Sequence, residues 1–246
     1  MINGLSSLED AMRPKLTQLE IIANNLANVN TTGFKRDRSF LKVLQQSIPT
    51  ADGTATEDVQ QVRQYTDFSQ GSLNKTGNPL DVAIKGRGFM VVETPNGIRY
   101  TRNGNFQLST DGTVVTSEGF PVLGQAGRIR FPNVERVQQG TVSIAGSGEI
   151  MLDKETIGQL RIVDFEKPQL LQKDHQSLFI ADPGQPVIEK TESDTSIRQG
   201  YLEDSNVDGI EEMIAMIELT RSFEADQKAL HAQDSSIEKS IEVGKV

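Results

Sequence analysis

The sequence predicts an α+β chain. Long N- and C-terminal helices pair as a coiled-coil-like stalk, and a central all-β domain lies between them. Two observations predict the ends. Leu5, Leu8, Met12, Leu16, Leu19, Ile22, Leu26 and Val29 recur at helical spacing, as do Ile210, Met213, Ile214, Ile217, Phe223, Leu230, Ile237 and Ile241. Intervals of three and four residues bring apolar side chains onto one helix face. A third observation predicts the middle, where short alternating apolar runs are separated by glycines, the pattern of strands and tight turns. The domains follow: a discontinuous terminal helical domain (1–34 and 205–246), an extended connecting arm (35–75) and a β-rich domain (76–204).

The first helix has an irregular start. Ser6 followed by Glu9 can form a capping box, and Pro14 then removes a backbone donor, so a kink or a restart is expected there. From Lys15 to Val29 the apolar spacing is clean, and Thr31-Thr32-Gly33 makes a stop in which Gly33 takes a left-handed conformation. Residues 35–75 are polar and weakly patterned, an arm or loop with a hairpin around Val62–Phe68. From about Thr76 the period becomes two, with Leu80, Val82 and Ile84 alternating with Asp81, Ala83 and Lys85. Asn96-Gly97 reads as a hairpin turn with positive φ at both residues. Asn103-Gly104 and Asp111-Gly112 read as further turns, and Gly146-Ser147-Gly148 separates Val142/Ile144 from Ile150/Leu152. Runs at Gly158–Phe165 and Ser177–Ala181 complete a barrel or sandwich that ends near Gly200. The last helix opens at Ser205-Asn206, either of which can cap it, and places Asp208, Glu211 and Glu212 in its first turn. Along its seam of Met213, Met216, Thr220, Phe223, Gln227, Leu230, Asp234, Ile237 and Ile241 one heptad position turns polar, so the helix is expected among several others.

Composition narrows the function. At 246 residues the chain can bury a real core, yet aromatic content is 5% with no Trp, so other chains are expected to complete part of its apolar surface. The net charge of −9 argues against nucleic acid, whose phosphates require clustered Lys and Arg. No apolar run approaches the roughly 20 residues that span a bilayer, so no transmembrane segment is expected, and no Sec-type signal is evident. Absence of cysteine excludes disulfides and thiolate metal sites.

Nothing in the sequence reaches a catalytic constellation. His175 and His231 are far apart and read as solvated, so no metal site is expected. Gly86-Arg87-Gly88 is followed by the strand Phe89–Val92 and reads as a strand-to-strand turn, not a phosphate loop. The carboxylate pairs Asp164/Glu166 and Glu211/Glu212 read as solvated faces or caps. No catalytic residue, cofactor or small-molecule substrate is expected. The sharper signal is Asn24-Asn25-Leu26-Ala27-Asn28-Val29-Asn30-Thr31-Thr32-Gly33-Phe34, where four asparagines stand in seven residues although Asn is a poor helix former. Two readings stand side by side: a frayed, locally capped turn, or amides that set lateral register against neighbouring helices.

Four blocks together resemble a known family. Ala23–Lys35 resembles the N-terminal signature of the flagellar basal-body rod and hook proteins. Gly77–Phe89 resembles the start of their D1-like β-domain, Tyr100–Phe106 its next strand pair, and Gly200–Val207 with Glu212-Met213 and Met216-Ile217 their C-terminal block. The blocks occur in the family's order from end to end. Arg13-Pro14 and the Val243–Val246 ending resemble the proximal, FlgF-type rod proteins more than the distal, FlgG-type ones, and the chain is short for a hook protein.

The resemblance implies a structural subunit, not an enzyme. It implies export by the flagellar type III apparatus without a cleavable signal, and self-assembly with copies and other rod subunits into the periplasmic rod. The candidate assembly interface is Leu16, Leu19, Ile22, Asn24, Asn25, Leu26, Asn28, Val29, Met213, Met216, Ile217, Phe223, Leu230 and Ile237. The competing class is an oligomeric β-domain that binds a ligand on a helical stalk; an enzyme ranks third.

Overall fold

The computed structural model describes residues 2–243 apart from 51–52, 133–136, 138–140, 175–176, 182–183, 185–186 and 190–194. Among the described residues two α-helices flank 19 short and long strands: α1 is Ile2–Ala27 and α2 is Gly209–Val243. The chain divides into two compact units. The first holds Met1–Ala27, Asp37–Thr66 and Asp208–Val246; the second holds Asn28–Arg36 and Asp67–Val207.

In the first unit, α1 runs without interruption through Pro14. The Ser6 capping box is not used, because the helix already begins at Ile2. The polar stretch after it forms two 14-residue strands, β1 (Asp37–Thr50) and β2 (Gly53–Thr66), paired antiparallel from Asp37↔Thr66 to Thr50↔Gly53. Helix α2 starts later than the sequence suggests. Asp208 Oδ1 accepts the Ile210 and Glu211 amides at 2.9 and 3.2 Å, which makes Asp208 the cap. Ser205 caps only a turn, through the Val207 amide, and Asn206 is used elsewhere.

The coiled-coil-like stalk expected of the two helices is not formed. A knobs-into-holes seam buries its successive seam residues, whereas Leu16, Met213 and Ile217 remain 45%, 47% and 53% exposed. Polar contacts join the helices: Lys15 pairs with Asp226 and donates to Ser222 at 2.8 Å, and Asn25 donates to Glu212 at 3.3 Å. The reason lies in the seam itself. Thr220 and Gln227 interrupt it and stay exposed, so the helices cannot close over a continuous apolar stripe.

In the second unit the central β prediction holds. An eight-stranded sheet runs in the order β10 (Gly127–Arg128), β9 (Val122–Gly124), β5 (Phe89–Thr94), β6 (Gly97–Thr101), β16 (Leu178–Ile180) and β15 (Gln172–Lys173), with β14 (Ile162–Phe165) paired to β5 and to β17 (Val187–Glu189). Strand β5 (Phe89–Thr94) explains why its sequence is apolar at consecutive positions. Its alternation sends Met90 and Val92 into a core shared with Val82, Ile84, Phe106 and Ile197, and Phe89 and Val91 into a second core with Val163, Phe165 and Phe179. A strand covered on both faces loses the polar half of its pattern. Strand β4 (Val82–Gly86) pairs with β18 (Thr195–Gln199), and β3 (Leu73–Lys75) with β19 (Tyr201–Glu203), so the last strands close onto the first.

The turns follow the glycines with two adjustments. Asp111-Gly112 closes β7 (Phe106–Leu108) onto β8 (Val114–Thr116), with Gly112 at φ 83°. The β5–β6 loop, where β6 is Gly97–Thr101, is Pro95-Asn96, because Thr94 pairs with Gly97 and only Gly97 has positive φ, 106°. Proline cannot take the positive φ that the first position of a type I′ turn requires. Asn103-Gly104 does not close a hairpin either; it carries the chain from β6 to β7. A Cβ on Gly104 would lie 1.7 Å from the Val82 carbonyl oxygen, so only glycine fits.

Candidate functional site

The chain passes from one unit to the other after residues 27, 36, 66 and 207. Buried polar groups near these points organise each unit, and they coincide with the sequence blocks that carry the family resemblance.

In the first unit the organising residue is Asn25, 1% exposed on the last turns of α1. Its Nδ2 donates to the Asp37 carbonyl at 2.8 Å and to Glu212 Oε1, and its Oδ1 accepts the Asp37 amide at 2.9 Å. The Thr66 hydroxyl donates to Asp37 Oδ1 at 2.8 Å. One amide thus ties α1 to β1 and α2, and the Asp37 carboxylate ties β1 to β2. Asparagine suits this position because it donates and accepts at once, and a buried backbone amide and carbonyl must both be satisfied. Glu212, read from sequence as an exposed cap, is 2% exposed here; the amide it accepts from Asn25 accounts for its place. Asp164 likewise is buried, against Arg87 at 3.4 Å.

The other sequence-predicted interface residues fall into three groups. Leu16, Asn24, Met213 and Ile217 are exposed. Leu19, Ile22, Leu26, Asn28, Val29, Met216, Phe223 and Leu230 are half-buried. The side chains of Leu5, Leu8, Asp234, Ile237 and Ile241 lie outside the described residues, as do His175 and residues 244–246. Asn28, in the second unit, accepts the Thr31 hydroxyl at 3.1 Å, and its carbonyl accepts the Thr31 amide at the same distance. This is a local cap, and Gly33 follows at φ 69°. Ile210 and Ile214, at 68% and 53% exposure, extend the outward stripe of α2.

In the second unit the organising residue is Glu203, at the end of β19 and fully buried. Lys35 Nζ donates to its Oε1 at 2.5 Å, the Gly71 amide to the same oxygen at 3.1 Å, and Arg102 to Oε2 at 3.2 Å. The Glu203 carbonyl accepts the Gly33 amide at 2.7 Å. Lys35 also donates to the Ser69 carbonyl at 2.7 Å, and Arg102 to the Gly86 carbonyl at 2.8 Å. Two cations thus share one carboxylate. Burial pulls both the Lys35 ammonium and the Arg102 guanidinium below their ordinary ranges, and Glu203 opposes that shift in each case. Arg102 lies over the Phe89 ring at 5.3 Å, and its buried Nε has no acceptor. Asn206 completes the arrangement by accepting the Arg36 amide at 2.7 Å and donating to the Asp67 carbonyl at 2.8 Å.

Sequence reasoning did not single out Lys35, Arg102, Glu203 or Asp37 as site residues. A signal was present: Lys35 follows Phe34, Arg102 follows Tyr100-Thr101 and Glu203 follows Tyr201-Leu202. Charges at the ends of apolar runs become buried only when they meet one another. The two groups just described can fasten chain segments together. Among the described residues no cluster of His, Cys, Asp or Glu could hold a metal ion, and no helix is long and apolar enough to cross a membrane.

Known proteins match the chain along its length. Residues 5–35 match the family model of the flagella basal body rod protein, 83–152 that of the flagellar hook protein FlgE/F/G D1 domain, and 198–243 that of the flagellar basal body rod FlgEFG protein C-terminal region. The flagellar basal-body rod protein FlgG of Buchnera aphidicola (subsp. Acyrthosiphon pisum) is 33% identical over 97% of this chain and 98% of its own length. FlgG of Borreliella burgdorferi is 34% identical over 96% and 97%, and FlgF of Rhizobium meliloti 32% identical over 92% and 90%. On these matches the chain belongs to the flagellar basal-body rod protein family.

Proposed function

We propose that the protein is a structural subunit of the flagellar rod that assembles with copies of itself and with other rod subunits through its terminal helices. The carrying observation is the outward face of α2, where Ile210, Met213, Ile214 and Ile217 are 68%, 47%, 53% and 53% exposed. Fully burying one such side chain contributes about 1.5–3 kcal/mol, a gain that a lone chain leaves unrealised and a neighbouring subunit supplies. Head-to-tail contacts of this kind need not close, which gives a filament. The subunit works in the periplasm and reaches it through the flagellar type III export apparatus, a reading supported by its family.

Within the rod we place it in the proximal, FlgF-type section, on the Arg13-Pro14 stretch of α1. A distal position is the second reading, favoured by FlgG relatives that match over 97% of the chain. The test is Ile214→Asp combined with Ile217→Asp in the flagellated source bacterium. The expected result is a folded chain, by circular dichroism, that is missing from isolated basal bodies, in cells that do not swim. Normal swimming with the variant present in basal bodies would overturn the reading.

A further inference from the structure

The first unit carries a second exposed face whose chemistry is opposite to that of α2. Strand register sets Arg38 opposite Tyr65 and Phe40 opposite Arg63. Paired residues share a face of a sheet, and alternation returns to that face every second residue, so these four side chains lie together at the base of the hairpin. Phe40 and Tyr65 are 48% and 38% exposed, with ring centroids 6.1 Å apart. Arg38 and Arg63 are exposed beside them. The face is aromatic and cationic in a chain whose net charge is −9.

The outward stripe of α2 is its complement. Ile210, Met213, Ile214 and Ile217 occur at helical spacing, and Glu211 and Glu218, about two turns apart, border one side of them. Both acids are exposed, and Arg221 ends the apolar run. Phe40 and Ile214 are each about half exposed within the same chain, so neither face covers the other internally. Two copies of a chain this acidic repel over most of their surfaces, and contact is favoured where a basic patch meets an acidic one. Aromatic and arginine side chains are also the groups that dominate the energetics of protein interfaces.

We infer that the hairpin base of one copy, through Phe40, Tyr65 and Arg63, covers the outward stripe of α2, Ile210–Glu218, on a second copy. The inference rests on the assembly reading given above and names the surface that meets the stripe. The contact is heterologous, since different patches meet, and so it propagates along a filament.

Charge reversal tests it in the flagellated source bacterium. Arg63→Glu alone and Glu218→Arg alone are each expected to lower incorporation into basal bodies by about tenfold, a change equivalent to about 1.4 kcal/mol. The two reversals in one chain are expected to restore incorporation to within about twofold of wild type. Both positions are exposed, and circular dichroism checks that each variant folds. Because the chain has no cysteine, Phe40→Cys and Ile214→Cys can be placed in two differently tagged copies and treated with a bismaleimide. A crosslink joining the two tags is expected, and none when Ile98→Cys, exposed in the β unit, replaces Phe40→Cys. Single reversals without effect, a double reversal no better than the singles, or no crosslink between the tags would overturn the inference. The assembly reading survives any of these if Ile214→Asp with Ile217→Asp still blocks incorporation, and falls if that variant is incorporated normally.

Discussion

In the β unit, Val82, Ile84, Met90, Val92, Val163 and Phe165 are shut off from solvent. On α2, Ile210, Met213, Ile214 and Ile217 leave about half or more of their surface in water. The residue types are similar, so the difference does not come from composition. In the β unit, the apolar residues of β4 and β5 are covered on both faces by other parts of the same chain. A helix that meets its own unit along one side and is apolar on the other has no such cover. The polar centres follow the same division. Glu203 and its two cations are fully or almost fully buried, whereas the Lys15–Asp226 pair keeps about a quarter of each side chain exposed. One region is completed inside the molecule, and the other leaves an apolar face uncovered.

The comparison is broken most forcefully at Glu203. Glu203→Leu strands two buried cations, and loss of one partner from a buried pair costs about 3–5 kcal/mol. A fall of that size is expected in urea unfolding followed by the near-ultraviolet dichroism of Tyr100 and Tyr201, both in the β unit. Asn25→Ala, in the helical unit, leaves the Asp37 amide and carbonyl without the partner they share. A loss of about 1–3 kcal/mol is expected, with faster hydrogen exchange at the Asp37 amide. Asp208→Ala removes the cap of α2, for which about 1 kcal/mol is expected, read as weaker protection of the Ile210 and Glu211 amides. Ile214→Ser should change monomer stability by less than about 0.5 kcal/mol while reducing assembly, which separates folding from association at one position.

A pH series sharpens the contrast. Burial holds Lys35 below its ordinary value of 10.5, so the unfolded chain binds that proton more tightly than the folded one. The resulting cost is present while the folded-state amine stays protonated and is relieved as pH rises through the lowered value toward 10.5. Lys35→Met lacks this component and leaves Glu203 paired with Arg102. The difference between the wild-type and Lys35→Met urea midpoints should therefore shift in favour of wild type as pH rises from neutral toward 10.5.

Elements with local causes were legible in the sequence. The helical spacing of Leu16–Leu26, the alternation at Val82–Ile84, the Asp111-Gly112 turn and the left-handed Gly33 are each decided by a few neighbours in the chain, although α1 stops at Ala27, short of the expected Val29. Long-range causes were not legible. Asn25 meets Glu212 at a separation of 187 residues, and Lys35 meets Glu203 at 168. No periodicity reports such meetings, so Glu212 looked like an exposed cap and Glu203 drew no notice. The coiled-coil-like stalk failed for a related reason. Apolar spacing states that a face exists, not which surface covers it, and here Met213 and Ile217 turned outward. Residues 37–66 were too polar to announce two 14-residue strands, because a two-stranded hairpin exposes much of its surface and needs little apolar alternation.

The pairing of β3 with β19 and of β4 with β18 has a kinetic consequence. These strands are separated by more than a hundred residues, and such distant pairings are slow to form because a long loop must close first. A chain emerging from its N-terminus has neither β18 nor the Glu203 carboxylate until four fifths of it is free. Until then Lys35 and Arg102 have no shared counterion, and the first strands have no closing edge. The polypeptide therefore stays pliable for most of its emergence and gains its finished shape late, when the final strands snap onto the earliest ones.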